Sequence, residues 1–384
     1  MKWEDCLDRK LNLNFGLDNV SQLKGIPKLP ETSLQITEEE DFGLNNLSLN
    51  QDFKAKIVGK KELNSKILEI KLDLTDLEWK PKSGDSFAIK CPNPKVLVER
   101  IMQRLDYNDR KISTNSKEGH LNGTKLVSEF LLGVDFFDFP KKAFFRVLAE
   151  YTNNQTEKKQ LYYLSSAMVP ECKPPLNVIL QHLPALKPRF YSISESPFKT
   201  GKGEITFAFN LVENEEKKYL GICTSYLNSK EIGDYVAVFP RAAPIPFNLV
   251  PLNEKRLVLI ANGTGIAPFV GFLQDLENYN NVVVVYGHRN HKDGIYDLPQ
   301  LCANKTLIEC FSRIESEFKY VQDAMPSLDL LDSIIYVCGS APMGKGVHDA
   351  LVKYYMDKNS CSMMEAIEFV NNLVKEGKYH RELW

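Results

Sequence analysis

A chain of 384 residues with 43% hydrophobic content is long enough to bury a sizeable core, and domains of roughly 100–200 residues give it two or three units. Its formal charge of -2 supplies no general basic field for nucleic acid or anionic lipid, so phosphate recognition falls to local clusters. The eight cysteines, at positions 6, 91, 172, 223, 302, 310, 338 and 361, lack the paired short spacings of zinc sites or disulfide scaffolds, which points to reduced thiols.

Charged residues open the chain and no run approaches the roughly 18 apolar residues of a membrane span, so a cytoplasmic protein with no membrane or nucleic-acid partner is expected. Residues 1–50 mix Pro27, Pro30 and the acids Glu38 to Asp41 without periodicity, the pattern of an arm or linker. From Phe53 the texture changes. Leu68, Ile70, Leu72 and Leu74 alternate with polar residues, and Ser86 to Ile89 follows a Gly84-Asp85 turn, as half-buried antiparallel strands require. Between 94 and 186 the period turns helical, through Val96, Leu97, Ile101 and Leu105 and again through Phe144, Phe145, Val147, Leu148 and Tyr151. Strand signals resume at Arg189 to Ser194, at Ile205, Phe207, Phe209 and Leu211, and at Tyr235 to Phe239. A β-barrel built from 51–93 and 187–252, interrupted by a helical insert over 94–186, accounts for this order.

Over 253–384 short continuous apolar runs (Leu257 to Ile260, Val282 to Tyr286, Leu307 to Phe311, Ile334 to Val337) alternate with helical patterns, as in a parallel sheet covered on both faces. The last helix is predicted over Met363 to Glu376, with Ser362 and Glu365 spaced as a capping box and Ala366, Phe369, Val370 and Leu373 as its apolar face. The fold class is therefore all-β plus α/β.

Candidate chemistry lies at the strand ends. After the first parallel strand, Gly263-Thr264-Gly265 leads through Pro268 into a helix, an arrangement that lets backbone N–H groups approach a pyrophosphate. Ser312 and Arg313 end the third parallel strand, with Lys319, Tyr320 and Gln322 close behind. A hydroxyl, a guanidinium and an ammonium there make a phosphate clamp, which favours NADPH over NADH. On the barrel side, Arg189 and Tyr191 offer a cation and a ring, and Gly221-Ile222-Cys223-Thr224 opens a helix, a set suited to a flavin but equally to ordinary packing. Cys338-Gly339 puts a thiol at the end of the fourth parallel strand, where inert packing is the competing reading. No metal-ligand grouping of histidines is present; His288 and His291 read as a polar loop.

Taken in order, Arg189-Phe190-Tyr191-Ser192, Gly221 to Thr224, Gly263 to Pro268 with Ser312-Arg313, and Cys338-Gly339 before a terminal aromatic resemble the ferredoxin-NADP reductase superfamily. The helical insert makes the chain similar to the reductase half of the diflavin reductases. Within that group it is most similar to the methionine synthase reductases, through Pro140 to Arg146, Pro174 to Arg189, Lys319 to Asp323 and His348 to Leu351. The resemblance covers 50–384. It implies that Arg189, Tyr191, Ser192, Gly221, Cys223 and Thr224 hold FAD, and that Ser312, Arg313, Lys319, Tyr320 and Gln322 hold the 2'-phosphate end of NADPH. Gly263, Thr264, Gly265, Arg289, Cys338, Gly339 and Met343 would line the rest of that nucleotide. It further implies catalytic roles for Ser192, Cys338 and Glu382, with Glu382 in place of the usual aspartate, and for Trp384 as a cover over the flavin.

Two departures accompany the match. Ser340 stands where the family has an acid, and the loop to Met343 is one residue short. The first 50 residues cannot supply the FMN module with which a diflavin enzyme begins. The expected function is thus an NADPH-dependent FAD oxidoreductase that passes electrons to an external acceptor in cobalamin and methionine synthase reactivation. Methionine synthase, a cobalamin-processing protein or a separate flavodoxin-like carrier would be the partner. A non-catalytic module that chaperones a cobalamin-handling protein is the alternative, and a piece of a longer diflavin enzyme would read the same way.

Overall fold

The computed structural model describes residues 34–38, 54–77, 79–116, 121–136, 142–163, 172–197, 203–214, 219–241, 250–252 and 254–384. The arm expected over 1–50 lies outside them except for 34–38, as do Pro140 and Lys141. The chain divides into two compact units, one of 1–51, 90–189 and 212–229, the other of 52–89, 190–211 and 230–384.

The alternating segment becomes a six-stranded sheet that falls in the second unit except for the strand-end residues Lys90 and Arg189. Its strands are Lys54–Glu62 (β1), Ile67–Asp73 (β2), Ser86–Lys90 (β3), Arg189–Ser192 (β4), Glu204–Asn210 (β5) and Tyr235–Pro240 (β6), in the spatial order β4-β3-β6-β1-β2-β5. β1 and β2 pair antiparallel, as do β2 and β5, so Leu68, Ile70 and Leu72 all turn to one buried face. Phe87 and Phe207 meet there edge to face at 5.1 Å. Beyond β4 the Ser194 N–H donates to the Thr206 carbonyl on β5 at 2.8 Å, which draws the two outer strands of the sheet together.

The same unit holds a five-stranded parallel sheet of Leu257–Asn262 (β7), Val282–His288 (β8), Thr306–Phe311 (β9), Ile334–Gly339 (β10) and Tyr379–Leu383 (β11), ordered β9-β8-β7-β10-β11. Leu257 to Ile260 are fully buried because helices cover both faces: Ala267–Asp275 (α1) on one, Ala341–Asn359 (α2) and Met363–Lys375 (α3) on the other. The strand order reverses between β7 and β10, where α/β folds of this type open a crevice. Ser362 and Glu365 form the capping box expected of α3, and Ala366, Val370 and Leu373 are buried. Phe369, expected inside, is 40% exposed with its ring 4.3 Å from that of Tyr355. β11 was not foreseen. Its residues, Tyr379 to Leu383, mix charge and apolar character because they form a sheet edge.

The first unit is mainly helical, as the insert predicted. Helices Lys95–Leu105, Val127–Leu131, Lys142–Ala149, Gln155–Tyr163 and Leu176–His182 bury Phe144, Phe145, Leu148, Val178 and Ile179 in one cluster. A three-stranded sheet, in which Ile36–Glu38 and Gly123–Leu126 flank Lys111–Thr114, was not anticipated. No helix among the described residues is long and apolar enough to cross a membrane.

Candidate functional site

The ends of β7, β8, β9 and β10 rim a cleft of about 650 Å³, within the usual range for a small-molecule site. Gly263 and Thr264 form its floor at the end of β7. Gly265 lies immediately behind: a Cβ there would stand 2.1 Å from the Cys338 carbonyl oxygen, so only glycine lets the turn pack against β10. Gly339, with φ +149°, is held the same way, since a Cβ would come within 2.0 Å of the Asn262 Oδ1. Asn262 Oδ1 accepts the Ser340 N–H at 3.0 Å and its amide donates to the Ser340 hydroxyl at 3.1 Å, joining the two strands that flank the crevice. Ser340, the departure from the family acid, therefore has a partner of its own.

Around this floor the cleft is lined by Arg289, Ser312, Lys319, Tyr320, Gln322 and Met343, all singled out from the sequence. The Lys319 ammonium lies 5.5 Å from the Tyr320 ring centre. The Ser312 N–H donates to the His288 carbonyl at 3.0 Å and the Arg313 N–H to that of Arg289 at 2.9 Å, which fixes the two segments side by side. Arg313 is exposed and does not line the cleft. Lys66, on the turn before β2, adds a third cation to Arg289 and Lys319, whereas Asp293 is the one acidic side chain among the described lining residues and already accepts from the Asn290 amide at 3.0 Å. This excess of donors and cations fits a phosphorylated dinucleotide such as NADPH.

His288 also lines the cleft, in a role that sequence reading missed. Its side chain is 3% exposed, its Nε2 lies 3.1 Å from a Glu309 carboxylate oxygen, and its ring stacks on Tyr286 at 4.8 Å. Burial holds its pKa below the ordinary imidazole range against the pull of Glu309, so the ring is neutral near pH 7. Among the described residues no group of three metal-ligating side chains occurs.

Ser192, Cys338 and Glu382, distant in sequence, come together in the second unit. β10 and β11 run parallel with Cys338 directly beside Glu382. The Ser192 hydroxyl at the end of β4 donates to one Glu382 oxygen at 3.2 Å, and Arg241, just past β6, donates to the other at 2.8 Å. Burial pushes the Glu382 carboxyl above the usual carboxylate range, and Arg241 and Ser192 oppose that rise. Burial and the neighbouring Glu382 push the Cys338 thiol well up, so it stays protonated. Trp384 is 57% exposed and lines the cleft, yet its backbone is fixed: its N–H donates to Gly339 and its carbonyl accepts from Ala341. Tyr191, beside Ser192, packs its ring 5.0 Å from that of Phe207.

The remaining flavin candidates lie in the first unit. Gly221 caps the helix Ile222–Asn228, and a Cβ there would come 2.8 Å from both Thr224 Oγ1 and Val212 Cβ. The Thr224 hydroxyl donates to the Gly221 carbonyl at 3.3 Å. Cys223 is buried against Cys91, whose thiol it lowers in pKa by hydrogen bonding, and both are free thiols. Arg189 is exposed, with Nη1 2.6 Å from the Lys187 carbonyl, so its outer edge is open to a phosphate. A cation, a close-packed glycine and a hydroxyl are the donor set that a flavin pyrophosphate needs.

Comparison with known proteins agrees with this geometry. An FAD binding domain family model matches residues 45–171 and 165–226, and an oxidoreductase NAD-binding domain model matches 259–349. Methionine synthase reductase of Rattus norvegicus is 30% identical over 83% of this chain and 58% of its own length, and that of Homo sapiens 29% identical over 94% and 65%. NADPH–cytochrome P450 reductase of Dictyostelium discoideum is 26% identical over 88% of this chain and 59% of its own. The chain thus spans about three-fifths of the length of these relatives. With an FAD binding domain model matched over an antiparallel sheet and an oxidoreductase NAD-binding domain model over a parallel one, the chain is similar to the diflavin-reductase-like FAD/NADPH reductases.

Proposed function

We propose that the chain takes a hydride from NADPH onto FAD and hands the electrons to an acceptor outside itself, in the reactivation of cobalamin-dependent methionine synthase. Bound FAD would supply the redox chemistry, accepting two electrons together and releasing them onward. The chain's own residues would do the rest. Arg189, Tyr191, Gly221, Cys223 and Thr224 would hold FAD, and Ser312, Arg313, Lys319, Tyr320 and Gln322 would bind the adenosine 2'-phosphate. Gly263, Thr264, Gly265, Arg289, Gly339 and Met343 would seat the remainder of NADPH. Ser192 would hold a proton on its hydroxyl toward Glu382, Cys338 would shape a dry pocket for the nicotinamide, and Trp384 would cover the site until the nicotinamide displaces it.

The observation that carries the reading is the meeting of Ser192 and Cys338 on Glu382, beside a cleft lined by the cations Lys66, Arg289 and Lys319. The methionine synthase reductase relatives favour methionine synthase as the acceptor, and a cobalamin-processing protein or a flavodoxin-like carrier would be the alternative. Anaerobic mixing of the FAD-loaded chain with NADPH tests the first half: bleaching of the flavin band within one turnover is expected, and its absence would leave a non-catalytic binding module. Reoxidation by cobalamin, by a flavodoxin and by ferricyanide, offered in turn, tests the second. Reoxidation by ferricyanide alone would reject the cobalamin and flavodoxin routes.

A further inference from the structure

Glu382 is an unusual carboxylate: its side chain is 14% exposed, yet it is asked to carry charge next to the buried Cys338. Burying an ionised carboxylate is unfavourable unless an opposite charge and hydrogen bonds compensate. Ser192 contributes a neutral hydroxyl at 3.2 Å, which cannot supply that charge. The only cation at hydrogen-bond distance from Glu382 among the described residues is Arg241, at 2.8 Å.

Arg241 is itself held from several sides. It follows β6 immediately, and its N–H donates to the Ser86 carbonyl at 3.2 Å, where β3 begins. Its Nη1 also lies 3.4 Å from the Ser86 hydroxyl, and its guanidinium carbon sits 5.0 Å from the Phe190 ring centre. The antiparallel sheet therefore presents a fixed cation to an acid carried by the parallel sheet. Resting on the reading of Glu382 as the acid of the hydride-transfer site, we propose that Arg241 is a positioning residue of that site, which holds the Glu382 carboxylate opposite Ser192 and supplies the counter-charge it needs to remain an acceptor.

The direction of one hydrogen bond depends on this. While Glu382 is ionised it can only accept, so the Ser192 proton is fixed toward it. Once Glu382 is protonated it can donate, and the polarity of the Ser192 contact is no longer defined. Ser192, Arg241 and Cys338 are the groups that face Glu382 from the neighbouring strands.

The test compares the full chain with Arg241→Gln, Arg241→Lys and Glu382→Gln. In cofactor-free protein, the infrared band of a protonated carboxyl that Glu382→Gln removes reports the titration of Glu382 directly. Arg241→Gln should move that midpoint up by about one pH unit or more, and Arg241→Lys by less, because an ammonium keeps the charge but not the two-sided contact. In FAD-loaded protein the acid limb of single-turnover flavin reduction should move with it, at unchanged FAD content. A midpoint left in place by both Arg241 variants would overturn the proposal. A midpoint that moves while Glu382→Gln reduces its flavin as fast as the unaltered chain would overturn instead the role assigned to Glu382 in hydride transfer, leaving the pairing intact.

Discussion

Glu382 gathers Ser192, Arg241 and Cys338 around one carboxylate, and each contact makes a different demand on the residue type. Cys338→Ala is expected to slow flavin reduction by NADPH on the order of 10²-fold while FAD stays bound, the size of effect seen when one preorganised group is lost from a transition-state pocket. Stopped-flow flavin bleaching measures it, and an unchanged rate would make Cys338 simple packing. At the other end of the nucleotide, Lys319→Ala and Arg313→Ala should each raise the KM for NADPH by about a decade and leave NADH unaffected, since a hydrogen bond to a charged group contributes about 1.5–3 kcal/mol. Equal losses for both coenzymes would remove the 2'-phosphate from the assignment. Lys319 and Arg313 were singled out in the sequence through their position after a strand, and the structure places Lys319 but not Arg313 in the cleft lining, whereas Arg241 gave no such signal. A lone arginine after a barrel strand reads as solvated surface, and its partner lies 141 residues away. His288 was missed for a related reason, because its partner Glu309 sits on the adjacent parallel strand and leaves no local spacing to read.

The three inner parallel strands, β7, β8 and β10, announced themselves as continuous apolar runs because both faces are buried, and the edge strand β9 was legible through its apolar Leu307, Ile308, Cys310 and Phe311 although only the last two are buried. β11 escaped because an edge strand need bury only one side, and its buried Tyr379 and His380 are followed by Arg381 and Glu382. The Ile36–Glu38 strand escaped because three residues carry no period. Close packing between β7 and β10 gives a test at this scale. In Gly265→Ala the new methyl would meet backbone, with no flexible side chain to yield, so a loss of about 1–3 kcal/mol is expected together with weakened NADPH binding. Thermal unfolding and 2',5'-ADP titration check the two effects, and a variant as stable as the unaltered chain would mean that β7 and β10 separate without cost.

The order along the chain of antiparallel strands, helical segment, antiparallel strands and parallel sheet was readable from sequence, and with the FAD binding domain match it predicts one FAD for each purified chain. Heat release and chromatography of the flavin check this, and stoichiometric FMN would contradict it. Acid should destabilise the second unit. Burial lowers the pKa of His288 and of His380, so the folded chain holds both neutral while the unfolded chain protonates them near the ordinary imidazole value. Their contribution is complete above about pH 6.5 and is lost as the pH falls through the folded values. The midpoint of thermal unfolding should therefore fall between pH 7.5 and 5.5, and less steeply in His380→Gln.

The final strand has a consequence for the making of the protein. A chain emerging from the ribosome at about 5–20 residues per second folds its earlier parts first, so β4, β6 and β10 can stand in place with Ser192, Arg241 and Cys338 before β11 exists. Glu382 and Trp384 dock onto the edge of a sheet that is otherwise finished. The cleft at the ends of β7 to β10 can thus assemble before Glu382 joins Ser192, Arg241 and Cys338, so the order of synthesis separates the making of the cleft from the making of that cluster.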